Sequence, residues 1–280
     1  MRRDAGDAAG PDPHRPGAAA RTGGALMRMA QKIGVPILAI GLFVAFWEFL
    51  VWANGWPDYV MASPSDLPKA YARFWELFLV GSWQTLWRTV AGLGLAVIFG
   101  TLLGMIMGFS RIARDGLYPL LVGFNAVPKA TLVPVLALLF IGQHNFNTVL
   151  MAFLISFFPI AVSVGIGLST LEPEYRDILR SLGASKVTIF RKIALPKTLP
   201  EFFGALKVSV TLAFIGTNLV EIISPHGRGL GALFLSGQTN SNYPLMFAVL
   251  IALAVLGILL YYGVVALEKI FAGWAERLQG

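Results

Sequence analysis

Residues 249–267 read VLIALAVLGILLYYGVVAL, a run without a charged side chain and apolar on every face. A barrel strand would alternate apolar and polar positions over about ten residues, and this run does not alternate. A helix of about 20 apolar residues crosses a hydrocarbon core about 30 Å thick while bonding its backbone to itself. Working outward from this run, six stretches qualify as spans: 34–53, 84–109, 117–142, 147–169, 202–224 and 245–268. The expected fold is an all-α integral membrane protein of about six transmembrane helices. Composition agrees, with 56% apolar residues, only 13% charged ones and a mean hydropathy of +0.69.

The net charge of +7 is sorted by position. With the N-terminus inside, sixteen of the 22 Lys and Arg fall on inside segments (1–33, 110–116, 170–201 and 269–280), and three, Lys69, Arg73 and Arg228, fall outside. That is a positive-inside bias, and it puts both termini in the cytosol. Charge sorted by membrane side is not the basic face of a nucleic-acid module. The chain has no cysteine, which excludes disulfides, thiolate metal sites and cysteine nucleophiles.

Residues 1–26 are rich in Gly, Ala, Pro and Arg and lack an apolar run, so they are expected to form a disordered cytosolic tail; Met27 is an alternative start. Residues 27–280 are expected to form the transmembrane domain. Between the first two spans, Asn54, Gly55 and Pro57 signal a turn, and 66–80 reads as a short amphipathic helix on the membrane surface.

The second span carries Gly100, Gly104 and Gly108, a spacing that lets another helix approach closely. The third is interrupted by Asn125, Pro128, Lys129 and Pro134. Proline removes a backbone donor and turns the preceding residue away from helical geometry. Irregular backbone at membrane depth is tolerated where it is packed in protein or lines a wet cavity. Residues 124–134 are therefore a candidate wall of a translocation path, or else a proline kink within the bundle.

Residues 170–201 form the longest inside connection. Tyr175, Ile178, Leu179 and Leu182 make one helical stripe, Gly183 suits a left-handed cap, and a second short helix from about Ser185 to Ala194 is expected to stop at Leu195-Pro196. Two short amphipathic helices with a break between them suit a groove on a partner. Asp177, then Gly183 six residues on, then Ile193, Leu195 and Pro196 resemble the cytosolic signature of ABC-importer permeases; the triplet here is Asp177-Ile178-Leu179 where the family has E-A-A. The likeness extends over most of 60–275. It includes ASPS (62–65), 85–108, VPKATLVPVLALLFIG (127–142), SFFPIAVSVGIGL (156–168), and Glu221 followed by GRGLG (227–231). It is closest to the nitrate/sulfonate/taurine/bicarbonate-type branch, which includes permeases for vitamins and pyrimidine precursors.

The resemblance implies a type I importer permease (MetI-like) fold in a bacterial inner membrane. It also implies a second permease subunit (a homodimer), cytosolic ABC ATPase subunits that bind the ATP, and a periplasmic or lipid-anchored solute-binding protein. No G-x-x-x-x-G-K-[ST] phosphate loop occurs, so ATP hydrolysis belongs on another chain. No cofactor is expected here.

A charge at bilayer centre costs about 2.5–3.5 kcal/mol on insertion scales. Arg88 and Lys207 lie near span ends and are expected to snorkel to headgroups, and Glu48 to face Arg88. Lys129 is expected either to serve an anionic solute or to pair with a carboxylate. Glu221 is a candidate for the path or outer gate, ahead of a tight turn built on Pro225, Gly227, Gly229 and Gly231. The three histidines are scattered, and no catalytic or metal-ligand spacing occurs. A secondary transporter driven by an ion gradient is the alternative reading; it calls for paired broken helices, and one broken span is evident.

Overall fold

Backbone groups in apolar sequence have only each other to bond, and the apolar runs accordingly fold as helices. The computed structural model describes residues 18–169, 181, 183, 185, 188, 190–223 and 228–276. Its α-helices are α1 (Ala18–Asn54), α2 (Leu67–Phe109), α3 (Arg111–Ala126), α4 (Leu132–Leu139), α5 (His144–Ser169), α6 (Leu195–Ile223), α7 (Leu230–Thr239) and α8 (Tyr243–Glu276). No strand occurs among the described residues. Five helical stretches are long and apolar enough to cross a membrane, or six if the bent α3–α4 pair is one span.

The chain divides into two compact units. One holds α1 and Ser63–Ser65; there the Glu48 carboxylate accepts hydrogen bonds from the Ser65 N–H (3.1 Å) and hydroxyl (3.0 Å). Helix α1 begins at Ala18, inside the stretch expected to be disordered, where three consecutive alanines favour helix.

The other unit is built on α2, α5 and α6. Small residues set its spacing: a Cβ at Gly100 would lie 2.9 Å from the Phe157 carbonyl, and one at Gly104 would lie 2.7 Å from that of Ala161. The glycine stripe of the second span therefore seats α5, as a small-residue helix contact in lipid requires. Gly216 of α6 meets α5 on another side, where a Cβ would stand 3.0 Å from Ala152 Cα. Buried hydroxyls add bonds between these helices, from Thr89 of α2 to Thr217 of α6 (2.9 Å) and from Ser209 of α6 to the Ser156 carbonyl of α5 (2.8 Å). Tyr71 of α2 donates to the Ala248 carbonyl of α8 at 2.6 Å.

Three expectations are corrected here. The surface helix at 66–80 does not end before the second span: Leu67–Phe109 is two helices joined at a kink at Phe74 (φ −117°, ψ 22°), so the break falls inside 66–80; at about 1.5 Å per residue the arm after the kink runs about 52 Å, well beyond the crossing distance. Leu195-Pro196 do not stop a helix. A π-helical turn, Phe190–Ala194, runs straight into α6, and Pro196 falls in the first helical turn, where a missing donor is tolerated. Gly229 and Gly231 do not form a tight turn but open α7, for a reason that lies in their neighbour.

Candidate functional site

That neighbour is Glu221, two residues short of Ile223, the last residue of α6. It is fully buried and its carboxylate is saturated. Arg88 of α2, 3% exposed, donates from Nη1 to Oε1 at 2.9 Å. Oε2 accepts from the Thr85 hydroxyl (2.8 Å) and from the Gly231 N–H (3.1 Å). The Thr85 oxygen in turn accepts from the Leu230 N–H at 2.9 Å.

The first N–H groups of a helix have no partner within it, and the residue before α7 is Gly229, which has no side chain to cap them. Two other helices supply the caps, and a carboxylate is favoured at that end of the helix dipole. A Cβ on Gly229 would fall inside the Glu221 carboxylate, and one on Gly231 would lie 2.7 Å from Glu221 Cβ. The glycines that read as a turn are there to let a helix start against a carboxylate.

Arg88 completes its bonds on the exposed Asn145, whose Oδ1 accepts from Nε (3.1 Å) and Nη2 (2.7 Å). An open cleft of about 560 Å³ reaches Arg88 and Asn145 from outside, lined also by Gln84, Gln143, His144 and Arg228. Snorkelling is thus overturned for Arg88, which is buried and paired; Lys207, 27% exposed, meets the Glu268 carboxylate of α8 at 2.9 Å. Thr85 and Asn145 gave no signal in the sequence. Arg88 and Glu221 did, as opposite charges at matching depth near the same end of two spans.

The broken span is as irregular as its prolines require. Val127 precedes Pro128 and is extended (φ −64°, ψ 129°), so α3 ends there and the chain bends 74° into Lys129–Leu139. Lys129 meets no carboxylate among the described residues. Its ammonium donates to the carbonyls of Phe124 (2.9 Å), Asn125 (2.8 Å) and Val127 (3.0 Å) and lies 5.2 Å from the Phe124 ring centre. A cation on the last carbonyls of a helix is favoured by geometry and dipole alike. Asn125, Pro128 and Pro134 are exposed on this bent pair.

On the long connection, Gly183 stands at φ +80° in an exposed turn, the left-handed geometry that suits glycine. Ser185 Oγ accepts from the Thr188 N–H at 3.2 Å, as an N-cap does. Leu195 is 46% exposed, while Ile193 and Pro196 are partly buried. Asp177, Ile178 and Leu179 lie outside the described residues, as do Pro225 and Gly227. Among the described residues no group of three or more His, Asp or Glu is placed to hold a metal.

Residues 96–272 match the family described as the binding-protein-dependent transport system inner membrane component. The chain belongs to that family. Among relatives of this permease, the formylaminopyrimidine transport permease protein ThiX of Halalkalibacterium halodurans is 30% identical over 252 residues, 90% of this chain and 100% of the relative. The riboflavin transport system permease protein RibX of Chloroflexus aurantiacus is 29% identical, covering 86% of this chain and 90% of its own length. The nitrate import permease protein NrtB of Synechocystis is 23% identical, with the same two coverages. A solved chain of the MetNI methionine ABC transporter, in an inward-facing conformation, superposes with a TM-score of 0.59 over 71% of this chain and 97% of that chain at 18% identity. That likeness carries the fold. The permease is thus a multi-pass ABC transporter subunit with a type I importer architecture.

Proposed function

We propose that this permease is the membrane-spanning subunit of an ATP-driven importer in a bacterial inner membrane, working as a homodimer. ATP is bound and hydrolysed by separate cytosolic ABC ATPase subunits docked on 170–201, and solute arrives from a periplasmic or lipid-anchored binding protein. The observation that carries this reading is the family match over 96–272, which takes in the whole connection around Gly183 together with Glu221. Charge sorting supports cytosolic termini and an inside position for that connection.

Asp177, Ile178, Leu179, Gly183, Ile193, Leu195 and Pro196 form the ATPase-coupling surface in this reading. Asn125, Pro128, Lys129 and Pro134 border the path, and Glu221 serves it from within by holding α7. The relatives at 30% and 29% identity are named for formylaminopyrimidine and riboflavin, the one at 23% for nitrate. This ordering favours a vitamin or pyrimidine-precursor solute over nitrate, sulfonate, taurine or bicarbonate.

The test is uptake into vesicles holding the permease with its cognate ATPase and binding protein. Uptake that requires ATP and both partners is expected; uptake driven by an ion gradient without them would establish the secondary-transporter alternative. Gly183→Arg puts a side chain at φ +80°, where L residues are disfavoured by about 1–2 kcal/mol, about a tenfold effect on an equilibrium. It should leave the protein in the membrane and cut both ATPase copurification and uptake by about that factor or more. Unchanged copurification and uptake would sink the coupling role.

A further inference from the structure

We propose that Thr85, Arg88, Asn145 and Glu221 form a latch that makes α6 and α7 one moving body, so that the stroke entering near Gly183 is delivered to α7. This rests on the ATP-driven reading above. Helix α6 has 29 residues, about 43 Å of continuous rod. The connection carrying Gly183 joins its first turn through Phe190–Ala194, and Glu221 stands near its other end. Helix α7 has ten residues, about 15 Å, half a crossing. It is a lid-sized element, not a span.

What ties this lid to the rod is specific. Both N–H groups at the head of α7 are spent on the latch, Gly231 on Glu221 and Leu230 on Thr85. The space at Gly229 and Gly231 is filled by Glu221 itself. Helix α7 therefore cannot turn or lift away from α6 without uncapping itself and taking a donor from the buried Glu221 carboxylate. Networks of this kind fix one arrangement more than they add stability. A single fixed arrangement is what a transmission needs, since packed interfaces are not continuously deformable. The cleft reaches Arg88 and Asn145 from outside, so the latch is also accessible to whatever docks at that end. Thr85, Arg88 and Glu221 are positioning residues: they act on transport through α7.

The experiment measures the ratio of solute taken up to ATP hydrolysed in vesicles carrying permease, ATPase and binding protein. Thr85→Val removes the hydroxyl at nearly constant shape, and Thr85→Ser keeps it. For Thr85→Val, uptake is expected to fall about tenfold or more while hydrolysis stays within about twofold of the unaltered protein, the effect on an equilibrium of losing both buried hydrogen bonds of the hydroxyl, to Glu221 and from Leu230. Thr85→Ser should restore the ratio. A merely structural role would lower uptake and hydrolysis together; that outcome, or an unchanged ratio, overturns the latch.

If Thr85→Val does not assemble, the otherwise unaltered permease decides the matter. The chain has no cysteine, so spin labels go only to Ile215→Cys on α6 and Gln238→Cys on α7, both exposed positions. The distance between them should be the same without nucleotide and with ATP trapped; a shift overturns the one-body claim. Absence of ATP-dependent uptake in the unaltered protein would instead defeat the importer reading itself.

Discussion

Glu221 and Lys129 are both single charges set in apolar sequence, and the chain neutralises them in opposite ways. Glu221 is satisfied in trans: Arg88 and Thr85 come from α2 and Gly231 from α7, and the carboxylate itself is fully buried. Lys129 is satisfied in cis by three carbonyls of residues two to five positions before it. The first arrangement makes one structure out of three helices. The second makes one bend and commits no other helix to it. Burial follows the same division, since α5 buries thirteen residues, α3 one (Leu121) and α4 two (Val133 and Leu136). The comparison teaches that this permease has a cross-braced part and a self-supporting part, and that mutations should be felt very differently in each.

The sharpest way to break the comparison is Glu221→Ala. It leaves Arg88 buried with only Asn145 and uncaps α7, and removing one partner of a buried pair costs about 3–5 kcal/mol. Thermal unfolding of the purified permease should show this loss, and adding Arg88→Met should recover part of it by removing the stranded charge. A double variant no better than the single one would mean that the pair is not the source of the brace. Next in size is Gly229→Ala. Its φ of −98° suits alanine, so backbone strain contributes nothing, and the whole effect comes from a methyl group placed inside the Glu221 carboxylate. Overpacking of this sort costs about 1–3 kcal/mol. A neutral Gly229→Ala, read in the same melt, would show that α7 can shift and that the brace is loose.

The sequence made the apolar spans legible because lipid leaves the backbone no other partner, and runs such as 249–267 are unambiguous in consequence. It made the break in the third span legible because Pro128 dictates the geometry of Val127 locally. The glycine stripe of α2 was legible as a contact surface, though its partner α5 was not. What escaped was everything that depends on which helices become neighbours. Arg88 read alone is a snorkelling cation, and becomes half of a buried pair only once α2 and α6 are side by side. Gly229 and Gly231 read alone are turn residues, because composition does not distinguish a glycine needed for conformation from one needed for space. Thr85 is an ordinary residue until a helix that cannot cap itself is laid against it.

The smallest effect is expected at Lys129, which tests the self-supporting part. Lys129→Met removes three hydrogen bonds, but all three are local to the bend and their carbonyls belong to exposed residues, so the loss is that of local bonds and a helix-end charge, about 1 kcal/mol in all. The melting midpoint should drop by about 2–4 °C, well short of the fall for Glu221→Ala. The bend should persist, because Pro128 and not Lys129 imposes it. A pair of labels at Leu120 and Leu138, exposed positions on α3 and α4, should therefore report the same distance, only more broadly distributed. If uptake collapses while that distance and the melting midpoint hold, Lys129 acts on the solute and not on the fold. If the distance itself moves, the ammonium and not the proline sets the bend, and the contrast with Glu221 narrows to a difference of degree.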